Sequence, residues 1–67
     1  MKLFRNAIQT DRAFIYFGNI QHFSWTKTLE EYEVKIYSNA GYIIQMMTEG
    51  EHRGFKNNYA KYMGVKI

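Results

Sequence analysis

The side chains that could carry out a reaction are few in this chain of 67 residues. A hydrolytic triad needs a nucleophile, a base and an acid, and the candidates are Ser24, His22 and Asp11. No nucleophile-elbow motif surrounds Ser24, and no sequence motif for an oxyanion hole accompanies it. The sequence therefore predicts that the protein is not an enzyme and has no catalytic residues.

The two histidines, His22 and His52, are the strongest candidate metal ligands, since the chain has no cysteine. Glu49 or Glu51 could complete such a site, but zinc sites generally show closely spaced ligand pairs, which are missing here. Residues 50–54 begin and end with glycine but lack the lysine and hydroxyl residue of a phosphate-binding loop. The sequence predicts neither a metal nor a cofactor.

Basic and aromatic side chains are interleaved along residues 52–67. Proteins that bind single-stranded nucleic acid use such cations to contact phosphates and such rings to stack on bases. Four apolar residues of this segment recur at helical spacing and also fit the core-facing stripe of an amphipathic helix. Nucleic-acid binding is therefore the alternative function, and it requires the cations to share one surface. The candidate contacts are Arg5, Arg12, Arg53, Lys56 and Lys61.

Aromatic residues make up 18% of the chain, and four methionines accompany them. A domain of this size buries a limited share of its surface, so part of this apolar supply is expected at an exposed binding face. Tyr, Trp, Phe, Met and Arg are also enriched at protein interfaces. The favoured function is a protein-binding module, an inhibitor or modulator that acts by steric occlusion. The predicted partner contacts are Tyr37, Tyr42, Met47, Arg53 and Lys56.

A β-hairpin over residues 32–48 is the element expected to position these side chains. Tyr32, Val34 and Ile36 alternate with charged residues, which is the period of a half-buried strand. A capping-box pattern, Thr-Leu-Glu-Glu, makes a helix over residues 28–38 the rival interpretation. A single helical turn followed by a strand is preferred, because β-branched and aromatic residues favour strands.

The second arm of the hairpin has two different faces. One face carries Tyr42, Ile44 and Met46. Gln45 lies on the opposite face, between Ile43 and Met47, so that face is interpreted as the more polar one. One of the two faces is expected to be exposed. Asn39 and Gly41 are predicted to supply the positive φ angles of the connecting loop.

Further strands are predicted at residues 3–9, 13–17 and 20–25, the second of them central in the sheet. A polar break at residues 49–51 precedes an amphipathic helix whose apolar stripe is Phe55, Tyr59, Tyr62 and Met63. The helix is predicted to end at Gly64 with a hydrophobic contact from Val65. The expected fold is α+β, a small antiparallel β-sheet of three to four strands with a short C-terminal helix packed on it. Residues 1–67 form a single domain.

The net charge is +3, and five of the six acidic side chains lie between positions 28 and 51. The absence of cysteine is consistent with a reducing compartment, and no apolar run is long enough to span a bilayer. A cytoplasmic protein without a membrane partner is therefore expected. A homo-oligomeric structural protein is the second alternative function, because dimerisation would cover an extra apolar face.

The chain is short, rich in aromatic residues, and contains no cysteine or proline. It resembles in this respect small accessory proteins of bacteriophages, some of which bind and inhibit host proteins. The resemblance covers composition only and assigns no residues. It implies that a host protein is the partner.

Overall fold

A computed structural model describes residues 1–64 as six strands, a short 3₁₀ turn and one helix. The strands are β1 (Lys2–Leu3), β2 (Ala7–Gln9), β3 (Phe14–Tyr16), β4 (Ile20–Lys27), β5 (Tyr32–Ser38) and β6 (Gly41–Met47), and the helix is α1 (Glu49–Met63). The predicted α+β class is confirmed. The strands form two antiparallel sheets: the first sheet has the order β1-β2-β3, and the second sheet has the order β4-β5-β6. The predicted contact of Val65 lies outside the described residues.

The first sheet differs from the sequence prediction in two respects. A tight turn breaks the strand expected at residues 3–9, and it is closed by a 2.9 Å hydrogen bond from the Phe4 amide to the Ala7 carbonyl. Strand β3 was expected in the centre of a sheet but lies at an edge, since β2 takes the centre. Ile15 alone of β3 is buried, whereas Phe14 and Tyr16 are exposed.

Strand β4 follows the 3₁₀ turn Phe17–Asn19 and contains a β-bulge. Its pairing with β5 skips Gln21. An extra residue in one strand reverses the alternation of faces at that point. The bulge therefore separates Ile20, which is buried, from His22, which is exposed, although regular alternation predicted a shared face.

Residues 32–38 form a strand, so the preferred interpretation of the first arm is confirmed and the rival helix is wrong. The helical turn expected at residues 28–31 is instead a hairpin loop. The Thr28 amide donates to the Glu31 carbonyl at 2.8 Å, and the Glu31 amide donates to the Thr28 hydroxyl at 3.1 Å. The capping-box residues thus close a loop instead of starting a helix. The residues that follow are held in an extended conformation, because β5 pairs with a strand on each side.

The register of β5 and β6 decides which face of β6 is buried. Ser38 pairs with Gly41 across a two-residue loop, and φ is positive only at Gly41 (122°), so the expectation for Asn39 is wrong. Val34 then pairs with Gln45. Directly paired residues share a face of the sheet. Gln45 therefore faces the core with 8% exposure, and the interpretation of its face as the polar one is wrong.

The buried amide of Gln45 joins the two sheets. Its Oε1 accepts a hydrogen bond from the Asp11 amide at 3.2 Å, and its Nε2 donates to the Met46 carbonyl at 2.9 Å. Buried polar groups are stable when they are paired in this way. Asp11 lies in the turn between β2 and β3, so Gln45 fixes that turn beside β6.

Helix α1 includes residues 49–51, which were predicted to be a break before the helix. The Thr48 hydroxyl accepts from the Glu51 amide at 3.2 Å, and the Glu51 carboxylate accepts from the Thr48 amide at 2.9 Å. This capping box turns residues 49–51 into the first turn of the helix rather than a break. The helix ends at Gly64 in the left-handed conformation (φ 75°), as predicted.

The core lies between α1 and the two sheets. The Phe17 ring packs against Phe55, Tyr59 and Tyr62 of the helix, with centroids 5.6–6.0 Å apart. Gly54 allows the helix to approach the first sheet, because a Cβ at that position would stand 3.0 Å from Leu3 Cδ1. The buried apolar residues of this cluster are Ile8, Ile15, Phe17, Ile20, Val34, Ile36, Met47 and Phe55.

Candidate protein-binding surface

The second sheet is covered by the helix on one face only. The covered face includes Phe23, whose ring lies 4.7 Å from Phe55 of the helix. Side chains at alternate positions point to the other side, which we call the open face. The open face carries His22, Ser24, Thr26, Glu33, Lys35, Tyr37, Tyr42, Ile44 and Met46.

A row of rings crosses the open face through all three strands. Tyr37 stands in the centre and pairs with His22 of β4 and with Tyr42 of β6. The His22 and Tyr37 rings are stacked, with centroids 4.2 Å apart and an interplanar angle of 17°. The Tyr37 and Tyr42 rings are 5.6 Å apart. The rings hold one another in place, and Tyr42 remains 58% exposed.

Aliphatic side chains extend this row along β6. Ile44 is 45% exposed and Met46 is also exposed. Lys35 Nζ lies 5.0 Å from the centre of the Tyr42 ring, a cation–π distance. The charges on this face, Lys35 and Glu33, have opposite signs. The open face is thus an apolar, aromatic surface with little net charge.

A cleft of about 230 Å³ continues this surface towards the first sheet. Phe14 of β3 and Tyr42 of β6 both line it, together with the loop between β5 and β6. A second recess next to it is lined by Arg12 and by residues 42–44. The open face therefore ends at a cleft that has an arginine beside it.

Three exposed rings lie on the first sheet near the cleft. Phe14 is 5.6 Å from Phe4 and 5.2 Å from Tyr16, measured between ring centroids. All three side chains are exposed. They form a second aromatic patch, and Phe14 connects it with the cleft.

The structure separates the predicted partner contacts into three locations. Tyr37 and Tyr42 lie together on the open face. Met47 is 0% exposed and packs in the core, so its prediction as a surface contact is wrong. The register places Met47 on the same side as Gln45. Arg53 and Lys56 belong to the helix, on the other side of the second sheet.

His22, Ile44 and Met46 were not predicted from the sequence as candidate contacts. The alternation along β6 already grouped Ile44 and Met46 with Tyr42. The missing information was which face the helix covers. The sequence gives even less indication that His22 lies beside Tyr37, because this stacking depends on the register of β4 and on its bulge.

The basic residues proposed for nucleic-acid binding lie on different elements. Arg5 is in the turn between β1 and β2, and Arg12 lies beside β6. Lys56 Nζ stands 4.7 Å from the Trp25 ring of β4, at the opposite edge of the second sheet. The helix also carries Arg53 and Lys61. Lys56 and Lys61 are five positions apart, about 140° around the helix.

His52 is a buried base in the core. Its ring is stacked on Tyr32 at 4.2 Å and meets the edge of Trp25 at 4.9 Å. Its Nε2 has no hydrogen-bond partner within residues 1–64. Burial, together with the charge of Lys56, lowers the pKa of His52 from its ordinary value of 6.5. The ring is therefore neutral at neutral pH and acts as a packing element.

The candidate triad residues occupy separate positions. His22 and Ser24 share the open face, where the His22 ring stacks on Tyr37, and Asp11 lies in the turn between β2 and β3. Within residues 1–64, no three His, Asp or Glu side chains are grouped so that they could hold a metal ion. The helix described here is also too short and too polar to cross a bilayer.

These features define an α+β domain in which one helix covers a three-stranded sheet and leaves an aromatic face open. No protein-family model, curated protein or solved structure matches this chain. Its function therefore has to be argued from the chemistry of its surface, because a fold alone does not determine function.

Proposed function

We propose that this protein is a protein-binding module that covers a surface of its partner with the open face of the second sheet. The observation that carries the proposal is the uncovered group of Tyr37, Tyr42, Ile44 and Met46 on adjacent strands. Contiguous exposed apolar surface of this kind marks interaction sites in soluble domains. A bound module acts as an inhibitor wherever the covered surface is needed by its partner.

The charge of the open face favours a protein over a nucleic acid. Binding to phosphates requires several free cations on one surface. The open face carries Lys35, which stands over the Tyr42 ring, and the acidic Glu33. Interface centres, by contrast, are poor in charge and rich in tyrosine and methionine. The composition of the open face fits the second description.

Tyr42 is the expected hot spot of the interface. It is more exposed than Ile44 and Met46, the other exposed hydrophobic side chains of the open face, and it contacts both Tyr37 and Lys35. Aromatic residues at the centre of an interface commonly contribute about 2 kcal/mol or more, a factor of about 30 in affinity. We expect Tyr42→Ser to weaken partner binding by at least that factor.

The test is quantitative capture of a partner from an extract of the cells in which the protein acts. Wild type is compared with Tyr42→Ser and with Leu29→Ser, a control. Leu29 is fully exposed, but it lies in the loop between β4 and β5, at the far end of the second sheet from Tyr42. We expect the captured protein to be lost with Tyr42→Ser and kept with Leu29→Ser, while circular dichroism shows both variants folded. Equal capture by both would refute the proposal.

A second candidate function, binding of single-stranded nucleic acid, has one observation in its favour. The stacked row of His22, Tyr37 and Tyr42 crosses the sheet in the way that base-stacking platforms do. Fluorescence anisotropy with labelled oligonucleotides at about 50 and 200 mM salt separates the two functions. Binding that falls steeply with salt and is lost in Tyr37→Ser would favour nucleic acid. Absence of binding at the lower salt would favour a protein partner.

A further inference from the structure

Within residues 1–64, strand β6 forms one edge of the second sheet, with β5 as its only neighbour. Ser38 and Gly41 close the two-residue hairpin loop, and paired residues along an antiparallel ladder alternate between hydrogen-bonded and non-hydrogen-bonded pairs. Tyr42 and Ile44 fall on the non-hydrogen-bonded positions, so their amides and carbonyls point away from β5. This edge therefore offers unpaired main-chain donors and acceptors.

Further along β6, the edge is partly closed. The Met46 carbonyl accepts the hydrogen bond from the Gln45 side chain, and Gln45 also holds the turn that contains Asp11. The open stretch is thus limited to residues 42–44. Exposed edges are the sites at which extended peptides add to a sheet.

The cleft next to this stretch has the size of a side-chain site. Its volume of about 230 Å³ lies below the range of roughly 300–1,000 Å³ that is typical of small-molecule pockets. Phe14 and Tyr42 supply apolar walls at its two sides. The cleft therefore fits an apolar side chain of a peptide better than a free ligand.

The charge that lines the cleft and the adjacent recess is positive. Arg12 is the one charged residue that lines either the cleft or the adjacent recess, and no acidic residue lines them. The ion pair found within residues 1–64 joins Arg53 and Glu49, so Arg12 is free to bind a partner. A guanidinium binds a carboxylate through two parallel hydrogen bonds.

We propose that an extended segment of a protein partner adds to β6 at residues 42–44 as a further strand. A carboxylate of that segment binds Arg12, and an apolar side chain enters the cleft beside Phe14. This inference rests on the proposed function, because it names the contact through which the partner of the open face is held.

A second copy of this chain is a poorer occupant of the same edge. A twofold axis that pairs β6 with β6 of another copy brings the two Arg12 side chains close together. Like charges placed opposite each other in an interface oppose association. The positive charge of Arg12 thus selects a partner with an acidic segment.

The probe is a capped peptide of alternating valine and threonine with one central glutamate, titrated into the ¹⁵N-labelled protein and followed by NMR. We expect shifts at the amides of Tyr42 and Ile44, and at least tenfold weaker binding when the peptide is N-methylated on its pairing edge. Equal binding by the N-methylated peptide would overturn strand addition, because such a peptide cannot donate main-chain hydrogen bonds.

A charge exchange tests the role of Arg12. We expect Arg12→Glu to bind the glutamate peptide at least tenfold more weakly than wild type and to prefer a peptide with a central lysine. Arg5→Glu is the matched control, because Arg5 is exposed but lies in the turn between β1 and β2. An unchanged peptide preference in Arg12→Glu, or the same change in Arg5→Glu, would overturn the proposal.

The two proposals fail in different ways. If Tyr42→Ser abolishes partner capture while the peptides do not bind the edge, the open face remains a binding surface and strand addition is wrong. If capture does not depend on Tyr42, the proposed function itself is wrong. A dimer that forms in the absence of peptide and protects the amides of residues 42–44 would identify a second copy as the occupant and overturn this inference.

Discussion

Ile36 and Ile44 lie on neighbouring strands, but one is buried and the other is exposed. Ile36 is fully buried against the helix side, whereas Ile44 is on the open face. Removing one methyl group from a packed core costs about 0.5–1.5 kcal/mol, and exposed positions usually change by less than about 0.5 kcal/mol. We expect Ile36→Val to lower the free energy of unfolding and Ile44→Val to leave it nearly unchanged. Urea denaturation measures both, and equal losses would show that both faces are covered.

His52 makes the stability of the fold depend on pH. Its pKa in the folded protein lies below the ordinary value of 6.5, because of burial and the charge of Lys56. The unfolded chain therefore binds the proton more tightly. The free energy of unfolding should be highest above pH 6.5, fall as the pH decreases through that value, and level off below the folded pKa.

The measurement is a series of urea denaturations between about pH 7.5 and 5.5, a range that spans the ordinary pKa of histidine. We expect His52→Phe, which keeps an aromatic ring between Trp25 and Tyr32, to remove most of the pH dependence. His22→Phe is the control, because His22 is exposed on the open face. If the free energy of unfolding of His52→Phe still depends on pH as in wild type, another titratable group is responsible.

Alanine substitutions at two glycines test the backbone conformation of the β5–β6 hairpin and of helix α1. Gly41 has a φ of 122° at the start of β6, where a side chain is strained. Gly50 lies in the first turn of α1, and a Cβ added there would meet no atom within 4 Å. We expect Gly41→Ala to cost about 1–3 kcal/mol. Gly50→Ala should stabilise by about 0.5–1 kcal/mol, because alanine favours a helix. Thermal denaturation measures the stability of both variants. A Gly41→Ala variant as stable as wild type would contradict the positive φ angle at this position.

The loop at Gly41 also determines which side chains lie on the open face. A two-residue connection pairs Tyr37 with Tyr42, and so places both rings on the open face. A shift of the register by one residue would exchange the two faces of β6. It would expose Gln45 and Met47 and bury Tyr42. The variant Gly41→Ala is therefore expected to disturb partner binding as well as stability.

In the whole molecule, two sheets share one helix. The chain is small, with a Cα radius of gyration of 11.1 Å, and its buried cluster draws residues from both sheets and from α1. A sheet is stable when at least one of its faces is covered by another layer. The helix provides that layer for the second sheet on one side, and the rest of the described chain leaves the other side open. The second sheet thus has an open face because the described chain has only one helix to cover it.

The charge around β6 predicts the oligomeric state. Since Arg12 opposes pairing of two β6 edges, we expect a monomer of 8.0 kDa at micromolar concentrations. Sedimentation velocity measures this directly. A species of twice that mass would support the homo-oligomeric alternative, and Arg12→Glu would then show whether the β6 edge forms the contact.

Features that depend on neighbours along the chain could be predicted from the sequence. The alternation of Tyr32, Val34 and Ile36 predicted a strand, since a strand repeats every two residues. Gly64 predicted the end of the helix, because a left-handed stop favours glycine. The α+β class followed from these local signals.

The face of β6 that remains open could not be predicted from the sequence. Alternation along β6 defines two faces, but it does not say which of them a helix covers. That depends on the loop register and on the docking of α1, both of which involve residues far apart in the chain. The same contacts bury Gln45 and Met47, expose Tyr42, and place Arg12 and Lys56 at opposite edges of the second sheet.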